Sequence, residues 1–262
     1  MAQYWSVGHR IPKTLRRYLY GDRERWGLTA DAADAEWQRW QGLFVEYYDA
    51  TQKDGLPAYI NDLGYAVLER LDLTDKVVLE IGPGDIGHTK FWRGKPKRFI
   101  ALDTRQDFLD RTIARLEAEG VSCEAILVEE KSLAETLAKI EPVDVVLSFY
   151  ALEHIYPLAP YLKIIQQAMR PGAILAGAIP TEGGFAWGVG RFCTSRRWVS
   201  KTYKLDYDKI ICWEHPNFAD SVMNTVDNLF EKQQVHYQPF RVPLIDPNFV
   251  ISFIYRNGPE PH

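Results

Sequence analysis

Glu80-Ile81-Gly82-Pro83-Gly84-Asp85-Ile86-Gly87 is the stretch that decides how this chain is read. It follows the β-branched run Val77-Val78-Leu79-Glu80-Ile81 and matches Gly-x-Gly-x-x-Gly. The pattern alone is weak. Placement strengthens it: a buried strand precedes it, a turn into a helix is expected after it, and Asp103 ends the next run about twenty residues further on. Glycines at such a turn let backbone approach a ligand closely. Amides at the start of a following helix favour negative groups, and an acid beyond the second strand accepts hydrogen bonds from ribose hydroxyls. The expectation is an adenosine-type cofactor, the alternative a merely structural tight turn.

Outward from this loop the chain keeps one rhythm. Further short runs lie at Arg98 to Asp103, Ala125 to Val128, Val143 to Ser148 and, after Pro171-Gly172, Ala173 to Ile179. Helical segments separate them: Leu109, Ile113 and Leu116 mark one, and Ser132-x-x-Glu135 is a capping box that would open another. Such alternation predicts βαβ units around a mainly parallel, buried sheet. Upstream, Trp37, Trp40, Phe44 and Tyr47, then Leu56, Tyr59, Leu63 and Val67, recur at helical spacing and predict two packing helices. Residues 1 to 21 carry Arg10, Lys13, Arg16 and Arg17 with no acid before Asp22; a solvated, partly mobile terminus is expected there, a basic arm being the alternative. After Pro180 the rhythm stops. Residues 182 to 215 are rich in Gly, aromatic and basic residues, followed by a helix from Phe218 to Leu229 and strands at Val235 to Arg241 and Phe249 to Tyr255. The expected organisation is an N-terminal helical segment over residues 1–72 and a catalytic-type α/β unit over residues 73–262, with a cap insertion at about 182–215.

Composition excludes several classes. With 262 residues, 46% apolar and 25% charged, the chain is neither disordered, collagenous nor a coiled coil. Its 31 Lys and Arg against 35 Asp and Glu give no polycationic field, which argues against nucleic acid as a partner. Only Cys123, Cys193 and Cys212 are present, without Cys-x-x-Cys, so a disulfide framework or structural zinc site is not expected and a reducing cytoplasm is. No apolar run approaches the roughly 18 residues of a membrane span.

Two residues choose between cofactors. Glu80, two positions before the first glycine, can neutralise an ammonium group and would repel a pyrophosphate; Pro83 deletes a backbone donor that a pyrophosphate loop could use. Two further segments, Ser148-Phe149-Tyr150-Ala151-Leu152-Glu153-His154-Ile155 and Met169-Arg170-Pro171-Gly172-Ala173-Ile174-Leu175, complete the pattern. With them, residues from about 76 to 180 resemble class I S-adenosylmethionine-dependent methyltransferases. The resemblance implies a Rossmann-like, doubly wound α/β fold. Its seven-stranded, mainly parallel sheet would have order 3-2-1-4-5-7-6 and an antiparallel last strand, with N-terminal helices and the cap after strand five roofing the cleft. It also implies S-adenosyl-L-methionine as cofactor. Gly82 and Gly84 would lie under the methionine portion, Glu80 would organise its amino group, and Asp103 would hold the ribose. Thr104, Val128 and Glu129 would border the adenine, while Ser148 and Phe149 would close the strand-four side; for Phe149 and Tyr150, core packing is the equal alternative. Some similar enzymes carry metal-binding acids before the histidine segment. This chain has Phe149 and Tyr150 there, so no metal is expected.

Orienting an acceptor behind a sulfonium methyl can lower the barrier by about 7 to 11 kcal/mol. For a hydroxyl acceptor a positioned base adds about a hundredfold to ten-thousandfold. The candidate bases are His154 and His215, with Glu214 expected to orient the His215 ring. The cap carries Trp187, Phe192, Trp198, Tyr203, Tyr207 and Trp213. It also carries Arg191, Arg196, Arg197, Lys201, Lys204 and Lys209 against Asp206 and Asp208, which suits a small-molecule or sugar acceptor, an anionic one included. The alternative for these side chains is a small core with a wet cationic face. O-methylation of a small-molecule or sugar hydroxyl is the expected reaction. The competing readings are a nicotinamide-dependent oxidoreductase and a non-catalytic cofactor-binding protein. The oligomeric state is not legible.

Overall fold

Val77–Ile81 reads as an almost unbroken apolar run because it is buried on both faces: it forms β1, near the centre of the sheet. The computed structural model describes residues 4–53, 55–128 and 133–258. In it β1 is joined by β2 (Arg98–Asp103), β3 (Cys123–Leu127), β4 (Val143–Phe149), β5 (Met169–Pro180), β6 (Glu231–Gln238) and β7 (Val250–Arg256). The order is β3-β2-β1-β4-β5-β7-β6, with β7 antiparallel to both of its neighbours, as the resemblance implies. In register, Ile81 lies opposite Leu102 on one side and Ser148 on the other, which aligns the carboxyl ends of β2, β1 and β4. β6 starts earlier than the apolar pattern indicates. Its first residues, Glu231 to Gln233, are exposed, as an edge strand tolerates.

Four helices precede the sheet: α1 (Lys13–Tyr20), α2 (Arg23–Trp26), α3 (Ala35–Thr51) and α4 (Gly55–Tyr65). α5 (Gln106–Ala118), α6 (Leu133–Leu137) and α7 (Leu158–Ala168) lie between strands, while α8 (Phe185–Cys193), α9 (Ser195–Thr202) and α10 (Tyr207–Glu214) form the cap, and α11 (Ala219–Leu229) follows. One face of the sheet, with Leu79, Ile81 and Val146, packs on Leu162 and Ile165 of α7 and Val222 and Val226 of α11. The other, with Val78 and Leu147, packs on Leu109 and Leu116 of α5 and on Val67 and Leu68 just beyond α4. No described helix is long and apolar enough to cross a membrane.

Three expectations need correction. First, no α-helix follows the glycine loop. The connection from Gly82 to Lys97 holds only a 3-10 turn, Thr89–Phe91, because Gly94 and Pro96 end regular structure soon after. The ligand-binding amides at a helix start, inferred from the sequence, are therefore missing, and α4 with its following 3-10 turn, Ala66–Arg70, covers the bare face by packing on β5 and β7. Second, residues 13–20 are not a mobile arm. Tyr20 is fully buried, and its hydroxyl donates to the Gly184 carbonyl at 3.0 Å. Arg191 donates to the Leu19 and Tyr18 carbonyls, both at 2.8 Å, which satisfies the C-terminal end of α1 with a cation. A methyl on Gly188 would meet the Tyr20 ring at 2.6 Å, so glycine there lets α8 lie against α1. Third, the stretch from 182 to 215 is helical. Its periodicity is hidden because α10 is buried on nearly every side, whereas a surface helix shows one apolar stripe. Of the capping box, Ser132 lies outside the described residues; Glu135 sits in the first turn of α6.

Tyr20→Ala is expected to lower unfolding free energy by about 3 to 5 kcal/mol in urea denaturation, as for other large buried aromatics. A mobile terminus would give a change within about 0.5 kcal/mol.

Candidate active site

The glycine loop is shaped by contact. Gly82 (φ +62°) and Gly84 (φ +56°) both adopt left-handed conformations, and a methyl on Gly82 would meet Ala151 Cβ at 2.8 Å. Beneath the loop Glu80 is fully buried. His88 Nδ1 accepts from Trp92 Nε1 at 3.0 Å, so Nε2 is the nitrogen that carries the proton and donates to Glu80 Oε1 at 2.8 Å. Among the described residues the second oxygen, Glu80 Oε2, is buried without a partner. A buried carboxylate oxygen left open in this way costs roughly 1 to 3 kcal/mol unless something donates to it. Beside the loop, Asp103 Oδ1 accepts the Arg105 amide at 2.9 Å. Burial pushes the Asp103 carboxyl up, against the amides of Arg105, Thr104 and Gly84. Val128 donates its amide to the Asp103 carbonyl at 2.8 Å, and Thr104 is exposed next to it. Glu129 lies outside the described residues.

Across the sheet, the 3-10 turn Leu152–His154 follows β4 and brings His154 to His215, the residue that ends α10. Their ring centroids are 4.4 Å apart at 80°. His154 Nδ1 lies 3.4 Å from Glu214 Oε2, while His215 Nδ1 bonds Glu182 Oε2 in a short hydrogen bond. Arg23 closes the group, donating to Glu182 Oε1 at 3.3 Å and to the Pro216 carbonyl at 2.7 Å. The acids are deeply buried and both histidines are partly exposed, so the imidazoles are the members of the cluster that open outward.

The two histidines titrate in opposite directions. Burial lowers His154, but its hydrogen bond to Glu214 and the charges of Glu153 and Glu214 outweigh that and raise it to about 9. Burial, then the charge of His154, holds His215 down at about 3. Burial pushes Glu182 up to about 8, against Arg23 and Arg191. At neutral pH the Glu182–His215 pair therefore shares its proton on the carboxyl side, and His154 is the cation. The proton lost near pH 8 belongs to the pair as a unit.

α3 joins the two halves. Trp40 Nε1 donates to Glu214 Oε1 at 2.6 Å, and Gln41 Nε2 reaches the same oxygen at 3.3 Å. From the same residue, the Gln41 carbonyl accepts Arg105 Nη2 at 2.7 Å. Phe44 lies under the Arg105 guanidinium at 4.8 Å, and the Tyr48 hydroxyl lies 3.4 Å from where a Gly84 methyl would stand. Hydrogen bonds thus run from His154 through Glu214, Gln41 and Arg105 to Asp103.

Of the residues named from sequence, Glu80, Gly82, Gly84 and Asp103 meet at the carboxyl ends of β1 and β2, while His154 and His215 meet beyond β4 and β5. Phe149 is buried, its ring 4.9 Å from His88 and 5.2 Å from Tyr65, so it packs behind the Glu80–His88 pair. Ser148 is also buried, its hydroxyl without a partner. Tyr150 donates to the Ile60 and Asn61 carbonyls, both at 3.1 Å, and ties α4 to β4. Glu214 orients His154 and not His215, because His215 leaves the helix and its ring turns to Glu182. Three of the six cap cations are engaged internally: Arg196 and Arg191 on Asp208, Lys209 on Asp34 and Glu36. Tyr203, Tyr207 and Trp213 are buried in a core shared with Trp40 and Tyr47 of α3, which favours the small-core reading of the cap aromatics. Sequence reasoning missed Glu182, Arg23, Gln41 and the His88–Trp92 support. Glu182 was within reach, since it stands two residues past β5, where such sheets carry their sites.

Residues 79–177 match the family model described as a methyltransferase domain. Among solved structures, the chain is similar to the N-methyltransferase NodS from Bradyrhizobium japonicum bound to S-adenosyl-L-homocysteine. Identity is 14%, TM-score 0.56, and the match covers 87% of this chain and all of that one. It is similar to the CurJ carbon methyltransferase at 15% identity and TM-score 0.54, over 84% of this chain and 58% of that one. It is also similar to the 1,6-didemethyltoxoflavin N1-methyltransferase of Burkholderia thailandensis, at 13% identity and TM-score 0.51, over 88% and 94% of the two chains. None of the curated proteins matches it. Residues 79–177 thus carry a methyltransferase-domain pattern, and the sheet has the fold of these solved methyltransferases. The residues present suit S-adenosyl-L-methionine: the open Glu80 oxygen fits an ammonium group, and Gly82 and Gly84 bring no side chain into the loop.

The His154 imidazole is expected to titrate near pH 9 by NMR, and near or below 6.5 in Glu214→Gln, where burial acts without the compensating carboxylate. An unchanged midpoint in the variant would contradict the pairing.

Proposed function

We propose that the protein O-methylates a hydroxyl of a small molecule, sugar hydroxyls included, with the Glu182–His215 pair as general base. The observation that carries this reading is the pair of partly exposed imidazoles 4.4 Å apart, His215 Nδ1 tied to buried Glu182 and His154 Nδ1 facing Glu214; burial keeps the first neutral and Glu214 keeps the second charged. S-adenosyl-L-methionine, when bound, supplies an electrophilic methyl on sulfur. Glu80 Oε2 would hold its amino group, with His88 keeping the carboxylate in place. Asp103 would accept from the ribose hydroxyls, Gly82 and Gly84 would lie under the methionine portion, and Thr104 and Val128 would border the adenine. α3 would exclude water from above through Gln41, Phe44 and Tyr48.

On the acceptor side, loss of the pair's proton leaves ionised Glu182 accepting from Nδ1–H of His215, and Nε2 presents a lone pair. That nitrogen takes the hydroxyl proton as oxygen attacks. His154, held as a cation by Glu214, offsets the negative charge developing on the oxygen. Arg23 and the Glu182 carboxyl fix the ring's orientation. Because Arg191, Arg196 and Lys209 are bound within the fold, an uncharged acceptor suits the site better than the anionic one inferred from sequence.

The expected kcat/KM profile rises as pH passes about 8, where the pair frees its base, and falls above about 9, where His154 loses its charge. His215→Ala is expected to lower kcat by about a hundredfold to ten-thousandfold toward hydroxyl acceptors, with the cofactor KM unchanged. A neutral amine nucleophile needs no such base, so a loss below threefold, with an N-methylated product, would overturn the proposal. Glu80→Gln is expected to weaken S-adenosylhomocysteine binding by about tenfold or more in calorimetry, as for a lost charged hydrogen bond of roughly 1.5 to 3 kcal/mol. Unaltered binding would remove Glu80 from the site.

A further inference from the structure

We infer that the face built by α1 and α8 is a docking surface for an anionic lipid bilayer. Leu15 and Tyr18 of α1 and Phe185 and Val189 of α8 are each between 38% and 54% exposed. On α8, Phe185 and Val189 stand one turn apart on the exposed side, while Phe192, one turn further on, is partly buried against Leu19, Tyr20 and Phe218. Leu15, Tyr18, Leu19, Phe192 and Arg196 line one shallow apolar groove of about 310 Å³ between the two helices. The loop after β6 adjoins it. Asp246 takes the Phe185 amide at 3.2 Å, and Phe240, Val242 and Leu244 of that loop are exposed as well. Seven of the twelve exposed large apolar side chains described thus lie on three segments in contact. Contiguous patches of this kind mark interaction sites, whereas scattered apolar residues do not.

Charge selects the partner. The chain as a whole carries a net charge of −4, yet three arginines border this patch beside Tyr18 and Phe192, one of them, Arg196, paired with Asp208. Arg17 stands 4.8 Å from the Tyr18 ring, and Arg196 and Arg197 stand 5.1 and 5.7 Å from the Phe192 ring. Among the described residues, Arg17 and Arg197 form no ion pair. A second copy of the chain would set these cations against their own equivalents in a two-fold contact, which like charges oppose. Nucleic acid would satisfy the cations and leave the leucine, valine and phenylalanine side chains in water. A bilayer surface with anionic headgroups satisfies both: apolar side chains enter the acyl boundary while guanidinium groups remain at headgroup level. The acceptor cluster is built from the same segment, because Phe185 follows Glu182 by three residues. The inference is independent of which acceptor atom is methylated.

The test is flotation of the full chain with vesicles of phosphatidylcholine alone and of an equal mixture with phosphatidylserine. Binding is expected to the mixed vesicles only, and to fall as salt rises. Arg17→Ala/Arg197→Ala is expected to weaken it roughly twentyfold, near fivefold for each cation lost at the surface. Leu15→Ser/Val189→Ser is expected to abolish it, with calorimetric S-adenosylhomocysteine binding retained by both variants as evidence of an intact fold. Absence of vesicle binding by the unaltered chain, or equal binding by both variants, would overturn the inference. So would a concentration-dependent dimer, lost in Leu15→Ser/Val189→Ser, in a chain that ignores vesicles.

Discussion

The connection between β1 and β2, residues 82–97, is too rich in Gly and Pro to hold a crossover helix, and much of the structure answers that constraint. A parallel pair normally buries its face under such a helix. Here α4 and the 3-10 turn after it cover that side of the sheet, with Ile60, Tyr65, Val67 and Leu68 in the core. The connection does a second thing. It delivers His88 and Trp92 beneath the glycine loop, where they fix one oxygen of Glu80 and leave the other open. A carboxylate in this apolar setting is tolerable only if it is well partnered, so the fold already commits half of its hydrogen-bonding capacity.

In the proposed site, the chain upstream of the sheet is part of the catalytic architecture. α3 touches the nucleotide side through Arg105 and the acceptor side through Glu214, both by way of Gln41. α2 contributes Arg23 to Glu182, and α1 is held to the cap by Tyr20 and Arg191. Removing Glu214 leaves the partly exposed His154 cation and the Trp40 indole N–H without their acceptor. In that proposal, an acceptor reaching the histidines would be coupled through Glu214 and Gln41 to the helix over the glycine loop.

The sheet was legible because its signals are local. Each strand is a short apolar run, and Glu80 and Asp103 stand at strand ends where position alone suggests a role. The two histidines were legible as candidates for the same reason. Their partners were not. Arg23 meets Glu182 across 159 residues of sequence, and Gln41 meets Glu214 across 173, with no periodicity to announce either contact. Exchange of the expected partner of His215 has a local cause: neighbouring residues at a helix end point about 100° apart, so Glu214 and His215 cannot share a direction. The basic N-terminus reads as solvated because its cations have no acid beside them before Asp22, and the two residues that anchor it, Leu19 and Tyr20, stand at the very end of α1.

A crystal structure with S-adenosylhomocysteine tests most directly whether two carboxylates at adjacent strand ends bind the cofactor under α3. The expected result has the ligand's amino group on Glu80 Oε2, still braced by His88, and its ribose hydroxyls on Asp103, with the sulfur facing His154 and His215. A ligand seated elsewhere, or one that leaves Glu80 Oε2 without a donor, would contradict it.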